Sequence, residues 1–451
     1  VFVAGPAGVG KTRLLDELRL KVKLERMVWA SGQCRAEGLE PLAPLVDALS
    51  VLVARTPDEV LAPHGPVLAH VLPRVRERGF TPPPFTNPTQ AQFKVNAAVA
   101  AWLTALSTTT PFVLCIEDLH VADGATLDLL NHVIRSLQGK VNAGVVGTFR
   151  SDEVDRAHRV YNTVDEQKAK LLTLRPLSRG DVDGLLAATL AEHQLPPDFV
   201  DGAYAATAGN AFFFIETLRF LVEAGAIVDV AGAFALSSST APSLPQTVPE
   251  LMTRRLSSLP PPLLSLAQAL APVGRAVDVQ LAFALGGGAS TALYEQIEQL
   301  VERQLLQRAG PRLFFANDDV RKALVDGMGD DARGRQHQKI GALLEQGLLG
   351  ATPPSVLAHH FGRAHDAAAR DHGVDLYLQA AQQAVAKQQL LEATQLAASG
   401  AKLLATSQRA DKAAKDVAFQ DLMATTSVAT HPPTTVAAVE HLMQTWKHID
   451  Q

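Results

Sequence analysis

The sequence is poor in the features that mark secreted, membrane-spanning and nucleic-acid-binding proteins. It has two cysteines in 451 residues, Cys34 and Cys115, and they lie far apart in apolar segments. This pattern is typical of reduced, buried thiols in a cytoplasmic protein and excludes a disulfide framework. No apolar run approaches roughly 20 residues, which excludes a membrane-spanning helix. The net charge of −5 gives no support for a nucleic-acid-binding surface.

Hydrophobic residues, in contrast, are plentiful. They make up 47% of the chain and charged residues 19%, a balance that allows buried cores. The length indicates about three domains. The sequence begins without an initiator methionine, inside what reads as a first core strand. We therefore expect a fragment of a longer protein, with further residues upstream.

The strongest motif lies at the start of the chain and has the form G-x-x-x-x-G-K-T. An apolar run at 1–4 precedes it and a helical pattern at 13–18 follows, which is the context of a Walker A phosphate loop. Its glycines allow backbone N–H groups to point at phosphate oxygens, and the helix N-terminus adds a positive dipole. We expect Lys11 to reach the β- and γ-phosphates and Thr12 to bind Mg²⁺. The alternative is a glycine turn that only closes a βα unit. The residues expected to hold the nucleotide are Gly5, Pro6, Ala7, Gly8, Val9, Gly10, Lys11, Thr12 and Arg13.

A second motif, at 111–118, is an apolar strand that ends in two acids. Five apolar residues in a row suit a strand covered on both faces of a parallel sheet. Strand carboxyl ends in open α/β sheets face the ligand, so the segment is interpreted as a Walker B strand. By position, Glu117 is the Mg²⁺-side acid and Asp118 the acid that orients or deprotonates the attacking water, with their order left open. Both join Thr12 as candidate Mg²⁺ ligands. A solvated strand end is the alternative interpretation.

Three further polar residues follow strands of the predicted sheet. His120 either senses the γ-phosphate or is a surface or capping histidine. Asp123 fits the N-cap of the next helix better than a catalytic role. Arg150 ends the following apolar strand, and it either faces the γ-phosphate or pairs with Asp152 or Glu153 at the surface.

After a fifth strand at 171–174, the pattern becomes helical. A very apolar helix at 212–224 and a hairpin at 226–236, which turns at Gly232, follow. Residues 237–242 have the composition of a linker.

Behind the linker, the sequence predicts helices at 250–259, 261–271 and 290–305, introduced by a capping box at 247–250. A hairpin at 305–315 completes a pattern of helices plus a terminal hairpin, which is typical of a winged helix. No stripe of Arg and Lys lies on its third helix, so DNA binding is not expected.

Alanine and leucine dominate the C-terminal part of the chain. Residues 330–349 predict one helix, and residues 373–387 and 389–405 predict an antiparallel pair whose alanines allow close packing. One pair cannot bury its own faces, so we expect a helical repeat array that continues beyond Gln451.

Taken in this order, the motifs resemble the AAA-like ATPase modules of the signal-transduction ATPases with numerous domains (STAND). These modules occur in bacterial regulators, fused to cyclase or kinase domains, and in LuxR-type transcription factors. The resemblance covers nearly the whole chain. The matching segments are GPAGVGKTRLLDEL at 5–18, PFVLCIEDLHVAD at 111–123, GTFRSDEV at 147–154, LTLRPLS at 172–178, GNAFFFIETLRFL at 209–221, VPELMTRRLSSL at 248–259 and FANDDVRKAL at 315–324.

The resemblance implies that ATP or ADP is held between the core and a lid. It implies that Arg150 senses the γ-phosphate and that Gly209 and Asn210 form a lid turn near the nucleotide. It further implies a winged-helix state reader at 244–349 and tetratricopeptide-like repeats after about residue 353, which bind a protein partner or effector. An effector domain fused upstream belongs to the same pattern.

Three residues depart from the usual pattern of these modules. Val121 stands in place of a Trp, Ala211 in place of the Pro of the lid turn, and Asn317 in place of a common His. The Ala211 departure puts the adenine contact in doubt. Both acids and the lysine are kept, so the resemblance implies nucleotide binding with slow hydrolysis.

The sequence thus predicts an α/β P-loop NTPase core with a parallel sheet (1–165), an all-α lid (166–243), a winged-helix-like domain (244–350) and helical repeats (351–451). The predicted function is a regulatory ATPase switch in a multidomain signalling or transcription-regulating protein, with ATP or ADP and Mg²⁺ as cofactors. One alternative is a DNA-associated AAA-type ATPase similar to origin-recognition or loader proteins, which the acidic net charge disfavours. The other is an interaction scaffold that holds structural ADP without hydrolysis. The predicted catalytic residues are Lys11, Glu117, Asp118 and Arg150.

Overall fold

The computed structural model describes residues 1–34, 42–84, 88–140, 142–190, 193–230, 232–237, 244–274, 276–386 and 390–430. The chain divides into two compact units after Leu244. Some predicted features extend outside the described residues, among them the linker at 237–242 and the end of the predicted repeats at 351–451.

The first unit is built on a five-stranded parallel sheet. Its strands are β1 (Phe2–Gly5), β2 (Val28–Gln33), β3 (Phe112–Glu117), β4 (Ala143–Arg150) and β5 (Leu171–Thr173). They lie in the order β2-β3-β4-β1-β5. β3 is buried except at its last residue, as its apolar run predicted. The predicted core end at residue 165 is too early, because β5, a short and largely exposed edge strand, pairs with β1.

Helices cover both faces of this sheet. They are α1 (Lys11–Leu24), α2 (Ala43–Val53), α3 (Asp58–Leu61), α4 (Gly65–Leu68), α5 (Pro73–Glu77), α6 (Pro88–Leu106), α7 (Gly124–Leu137) and α8 (Arg159–Glu166). Leu15 and Val22 of α1 cluster with Cys115 of β3. Leu114 belongs to a larger cluster that includes Trp102 of α6. Because neighbouring strand residues point to opposite faces, the two clusters form cores on the two sides of the sheet.

The carboxyl ends of the central strands meet at one edge of the sheet. Gly5, the last residue of β1, is in register with Arg150 of β4, and Gln33 of β2 is in register with Glu117 of β3. This edge is where parallel α/β sheets place their ligands, and it brings the predicted motifs together.

Three helices and a hairpin complete the first unit. They are α9 (Arg179–Leu190), α10 (Pro197–Thr207), α11 (Ala211–Glu223), β6 (Ile227–Val230) and β7 (Ala233–Leu236). The predicted hairpin is confirmed, with Gly232 between its strands at a φ of 92°. The region predicted as an all-α lid therefore contains a β-hairpin, because a glycine turn joins two short apolar segments there.

The second unit begins with five helices and three short strands. They are α12 (Val248–Ser257), α13 (Pro261–Leu270), β8 (Ala276–Asp278), α14 (Val279–Leu285), α15 (Thr291–Glu302), β9 (Leu306–Ala309), β10 (Arg312–Phe315) and α16 (Asp318–Asp326). The strands form an antiparallel sheet in the order β8-β10-β9. The predicted capping box is confirmed, since the Thr247 hydroxyl accepts a hydrogen bond from the Glu250 amide at 3.2 Å.

Helices fill the rest of the second unit. They are α17 (Asp330–Glu345), α18 (Pro354–Phe361), α19 (Ala367–Ala386), α20 (Leu390–Ala405) and α21 (Lys412–Thr430). The predicted pair, α19 and α20, packs together, and Ala380, Ala384, Ala393 and Ala397 are all buried. None of the helices in the described part of the chain combines the length and the apolar character that a membrane span needs.

Candidate functional site

The glycine loop between β1 and α1 forms a turn that encloses the Lys11 side chain. Gly8 and Gly10 have φ values of 74° and 106°, which glycine adopts without strain. Lys11 is the first residue of α1 and is only 8% exposed. Its Nζ donates hydrogen bonds to the carbonyls of Gly5 at 2.7 Å and Pro6 at 2.9 Å. The ammonium group therefore lies inside the loop, where the sequence predicted a phosphate-binding lysine.

A second turn, formed by Gly209 and Asn210, lies directly on this loop. The Asn210 Nδ2 donates a hydrogen bond to the Ala7 carbonyl at 2.8 Å. The Phe212 amide donates to the Gly8 carbonyl at 3.0 Å. A Cβ atom on Gly8 would come within 2.5 Å of the Asn210 Oδ1, so the contact requires glycine at this position.

The same asparagine starts helix α11. Its Oδ1 accepts a hydrogen bond from the Phe213 amide at 3.1 Å, which makes Asn210 the N-cap residue. Gly209 has a φ of 71°, and a Cβ atom there would lie 2.2 Å from the Leu177 carbonyl oxygen. The turn that the family resemblance assigned to a lid is thus fixed at both ends, to the loop and to α11.

The two acids at the end of β3 occupy different environments. Asp118 follows the strand with a φ of 58°, and its carboxylate accepts a hydrogen bond from Gln33 Nε2 at 2.6 Å. The Asp118 amide donates to the Thr148 hydroxyl at 3.2 Å. Glu117 is the last strand residue, and its negative charge adds to the effect of burial in raising the pKa of Cys115. Residues two apart on a strand share a face, and Cys115 packs against α1. Glu117 therefore lies on the α1 side of the sheet.

Arg150 pairs with Glu153 across one turn of chain. Its Nη1 lies 2.5 Å from Glu153 Oε1, and the arginine side chain is 18% exposed. Of the two partners that the sequence offered, the structure selects Glu153. The Asp152 carboxylate instead accepts a hydrogen bond from the Ala7 amide at 3.3 Å. Arg150 thus sits beside the glycine loop with its charge already paired.

His120 lies inside this group of charges, in a single 3₁₀ turn at Leu119–Val121. The side chain is 5% exposed, so the alternative of a surface histidine is wrong. Its Nε2 lies 3.4 Å from Glu153 Oε2. Its Nδ1 is buried and has no hydrogen-bond partner among the residues that the structure describes. The predicted capping role belongs to Asp123, whose carboxylate accepts a hydrogen bond from the Thr126 amide at 2.8 Å.

The charges of the site act on one another. Burial lowers the pKa of Lys11 most, the Arg150 guanidinium lowers it further, and Asp118, Asp152 and Glu153 oppose both. An ammonium partly removed from water and placed near a guanidinium favours an incoming anion that can neutralise both.

Burial and the neighbouring charges also change the pKa of His120. Its pKa is lowered, with burial as the largest cause and with Asp118 and Glu153 acting in the opposite direction. Burial therefore favours the neutral form of the imidazole.

Three residues of this cluster were not singled out as site residues by sequence reasoning. Gln33 donates a hydrogen bond to Asp118, and Asp152 accepts one from the loop amide of Ala7. Glu153 contacts both Arg150 and His120. Gln33 ends a strand of the same sheet, so its position was accessible once β2 was known to neighbour β3. In the described residues, no three His, Cys, Asp or Glu side chains converge as a metal site.

Comparison with known proteins agrees with this geometry. Residues 1–146 match the family model described as AAA ATPase domain. An uncharacterized protein from Rhizobium meliloti (strain 1021) is 26% identical over 280 residues, which are 57% of this chain and 26% of that protein. The chain therefore spans only a minor part of that relative.

Solved structures give a likeness in fold. A signal transduction ATPase with numerous domains (STAND) protein with a tetratricopeptide repeat sensor, from Pyrococcus horikoshii, aligns with 100% of this chain and 62% of its own at 13% identity, with a TM-score of 0.52. The ORC1 protein of Aeropyrum pernix, in complex with DNA, aligns with 72% of this chain and 86% of its own at 14% identity, with a TM-score of 0.33.

Proposed function

We propose that this chain, which carries a STAND-like AAA module, is an ATP-binding and slowly hydrolysing regulatory switch of a larger signalling or transcription-regulating protein. One observation carries the proposal. Lys11 lies in the glycine loop after β1 with its Nζ hydrogen-bonded to the Gly5 carbonyl, and the ends of β3 and β4 bring the charges of Asp118 and Arg150 to bear on it. A turn that only closed a βα unit would need none of these charges.

The loop and its surroundings suit a nucleotide triphosphate. Residues 5–13 would hold the phosphates through backbone N–H groups and the N-terminus of α1. Lys11 would exchange the carbonyls of Gly5 and Pro6 for phosphate oxygens of higher charge. Gly209 and Asn210 would close over the nucleotide from the second turn.

The oxygen donors near the loop suit Mg²⁺. Thr12, Glu117 and Asp118 supply a hydroxyl and carboxylates, which are the ligands that this hard cation prefers. Mg²⁺ usually keeps several waters and uses one or two carboxylates, so the lack of three converging acids among the described residues is compatible with it. When bound, the ion would neutralise charge on the phosphates. We assign Glu117 to the metal side, because it shares the face of α1.

Asp118 is the proposed residue that orients the attacking water. Its carboxylate is held by Gln33, and its charge acts on both Lys11 and His120. Arg150, in register with Gly5, would stabilise charge on the γ-phosphate and report its loss. To contact the γ-phosphate, Arg150 must break or weaken its ion pair with Glu153. This requirement is a reason to expect slow turnover.

The regulatory part of the proposal concerns the remaining segments. We assign residues 174–243 to the lid, 244–350 to a winged-helix-like domain and 351–451 to tetratricopeptide-like repeats. The helices with an antiparallel three-stranded sheet and the close pair α19 and α20 support these assignments. A protein partner at the repeats would bias the switch, and an effector domain upstream would carry its output.

The exchange Asp118→Asn tests hydrolysis. Asparagine also tolerates a positive φ and can still accept the Gln33 hydrogen bond, so the backbone and packing are retained. We expect ATP turnover to fall about a hundredfold with ATP affinity little changed. Asp128→Asn, at an exposed ion pair with Arg159, is the control and should turn over ATP like the wild type. Equal turnover in Asp118→Asn and wild type would contradict the proposal and favour the scaffold that holds ADP.

A further inference from the structure

The buried Nδ1 atom of His120 is the least explained polar atom of the site. A buried polar atom without a hydrogen-bond partner is costly, and native proteins satisfy most such atoms. Nδ1 has no partner in the described part of the chain, although the side chain is 95% removed from solvent. An atom of this kind beside a ligand site points to a partner that comes with the ligand.

The Glu153 carboxylate favours a proton on the Nε2 atom of His120. The carboxylate faces Nε2 at 3.4 Å, and a proton on that nitrogen is attracted to it. The same carboxylate is anchored by Arg150 through its other oxygen at 2.5 Å. A neutral imidazole with its proton on Nε2 has a free lone pair on Nδ1, so this nitrogen is a hydrogen-bond acceptor. Water is the natural donor to such an atom in a hydrolytic site.

His120 also stands near the proposed base. Asp118 lies two residues before it, at the N-cap of the 3₁₀ turn that contains His120. The 3₁₀ turn Leu119–Val121 joins the two side chains and limits their separation. Two acceptors that lie two residues apart can take both hydrogens of one water molecule and direct its lone pair.

We propose that His120, positioned by Glu153, orients the attacking water of ATP hydrolysis by accepting one of its hydrogens on Nδ1. This inference rests on the proposed ATPase function. The water oxygen forms a bond to the γ-phosphorus while the bond between that phosphorus and the bridging oxygen breaks, and ADP leaves with the electron pair. The hydrogen that faces Asp118 passes to its carboxylate, and the hydrogen that faces His120 stays on the phosphate. Arg150 and His120 are both positioned by the carboxylate of Glu153.

Two substitutions of His120 distinguish the role of Nδ1 from that of Nε2. In His120→Asn the side-chain oxygen can reach the position of Nδ1, whereas in His120→Gln the amide reaches that of Nε2. We expect His120→Gln to lower the ATP turnover number about tenfold or more, and His120→Asn to lower it less. The dissociation constant for ATP and Mg²⁺, from calorimetry, should change by less than about threefold in both. Wild-type turnover in both variants, or equal losses in both, would overturn the proposal.

A measurement on the wild-type chain covers the case in which a variant does not fold. Nitrogen-15 NMR of histidine-labelled protein should show His120 with its proton on Nε2. Its Nδ1 signal should move when ADP, Mg²⁺ and aluminium fluoride are added, and stay in place with ADP and Mg²⁺ alone. A proton on Nδ1, or no difference between the two additions, would overturn the inference. A wild type that binds no ATP would reject the proposed function itself, whereas turnover that is insensitive to His120 would reject only this role.

Discussion

Asn210 joins two parts of the first unit through a single side chain. Its Nδ2 donates to the Ala7 carbonyl of the glycine loop, and its Oδ1 caps α11. Both atoms of one planar amide are used, so the loop and the helix start cannot move independently without loss of a hydrogen bond. No residue pattern around Asn210 indicated its hydrogen bond to the glycine loop, and only the family resemblance placed this residue near the nucleotide.

Substitution of Asn210 separates these two roles. Serine is as good an N-cap as asparagine, but its hydroxyl is too short to reach Ala7 as well, and alanine can do neither. We expect Asn210→Ala to lower the free energy of unfolding by about 1 kcal/mol, measured by urea denaturation, and Asn210→Ser to lower it by less than half of that. If both variants lost the same stability, the cap would not be the interaction that holds the start of α11.

The residues of the glycine loop were accessible from sequence because the motif depends on local spacing. Lys11 and the two acids at the end of β3 stand where the motifs place them. The partners of these residues were not accessible in the same way. Gln33 and Asp152 reach Asp118 and the loop because strands that are distant in sequence become neighbours, and a single sequence carries no signal for the order of strands in a sheet.

At the level of elements, strong patterns predicted structure well and short ones did not. The buried strand β3, both hairpins and the capping box at Thr247 are confirmed. Helix α14 was not predicted, because its seven residues are too few for a helical period to show. The helix predicted at 330–349 ends at Glu345, since apolar residues beyond it belong to a turn.

Helices α17 and α18 bring three histidines together in the second unit. His337 Nδ1 and His360 Nδ1 lie 3.0 Å apart, and the His359 ring packs on both rings. Burial lowers the pKa values of His337, His359 and His360 to about 3, 2 and 4. Arg363, just after α18, Arg333 of α17 and Arg321 of α16 act in the same direction.

This cluster predicts a loss of stability in mild acid. Histidines in the unfolded chain take up protons as the pH falls below about 6.5, whereas the folded cluster stays neutral to about pH 4, so acid favours the unfolded state. At pH 5, each histidine should lower the free energy of unfolding by up to about 2 kcal/mol relative to pH 7. Urea denaturation at the two pH values, followed by circular dichroism, should show a smaller difference for His359→Gln. An unchanged difference would exclude the cluster as the cause.

The molecule has two units. The first carries the candidate site, and the second has the regulatory role proposed above. The first unit, Val1–Leu244, contains the loop, the acids, Arg150 and the turn at Asn210. Sequence predicted its α/β class because five apolar strands alternate with helices, but it did not predict that β1 lies between β4 and β5. The strand order is what turns separate motifs into one site, because it places Gly5 beside Arg150.

Nucleotide binding at the glycine loop is the claim on which the switch, the hydrolysis and the role of His120 all depend. Isothermal titration of the full chain with ATP and Mg²⁺ tests it most directly. Wild type and Lys23→Ala, a control at an exposed position of the same helix, should bind ATP alike. Lys11→Ala should weaken binding at least about a hundredfold, or roughly 2.7 kcal/mol, because the buried ammonium of the loop is lost. Full ATP affinity in Lys11→Ala, or no binding to the wild type, would contradict the account.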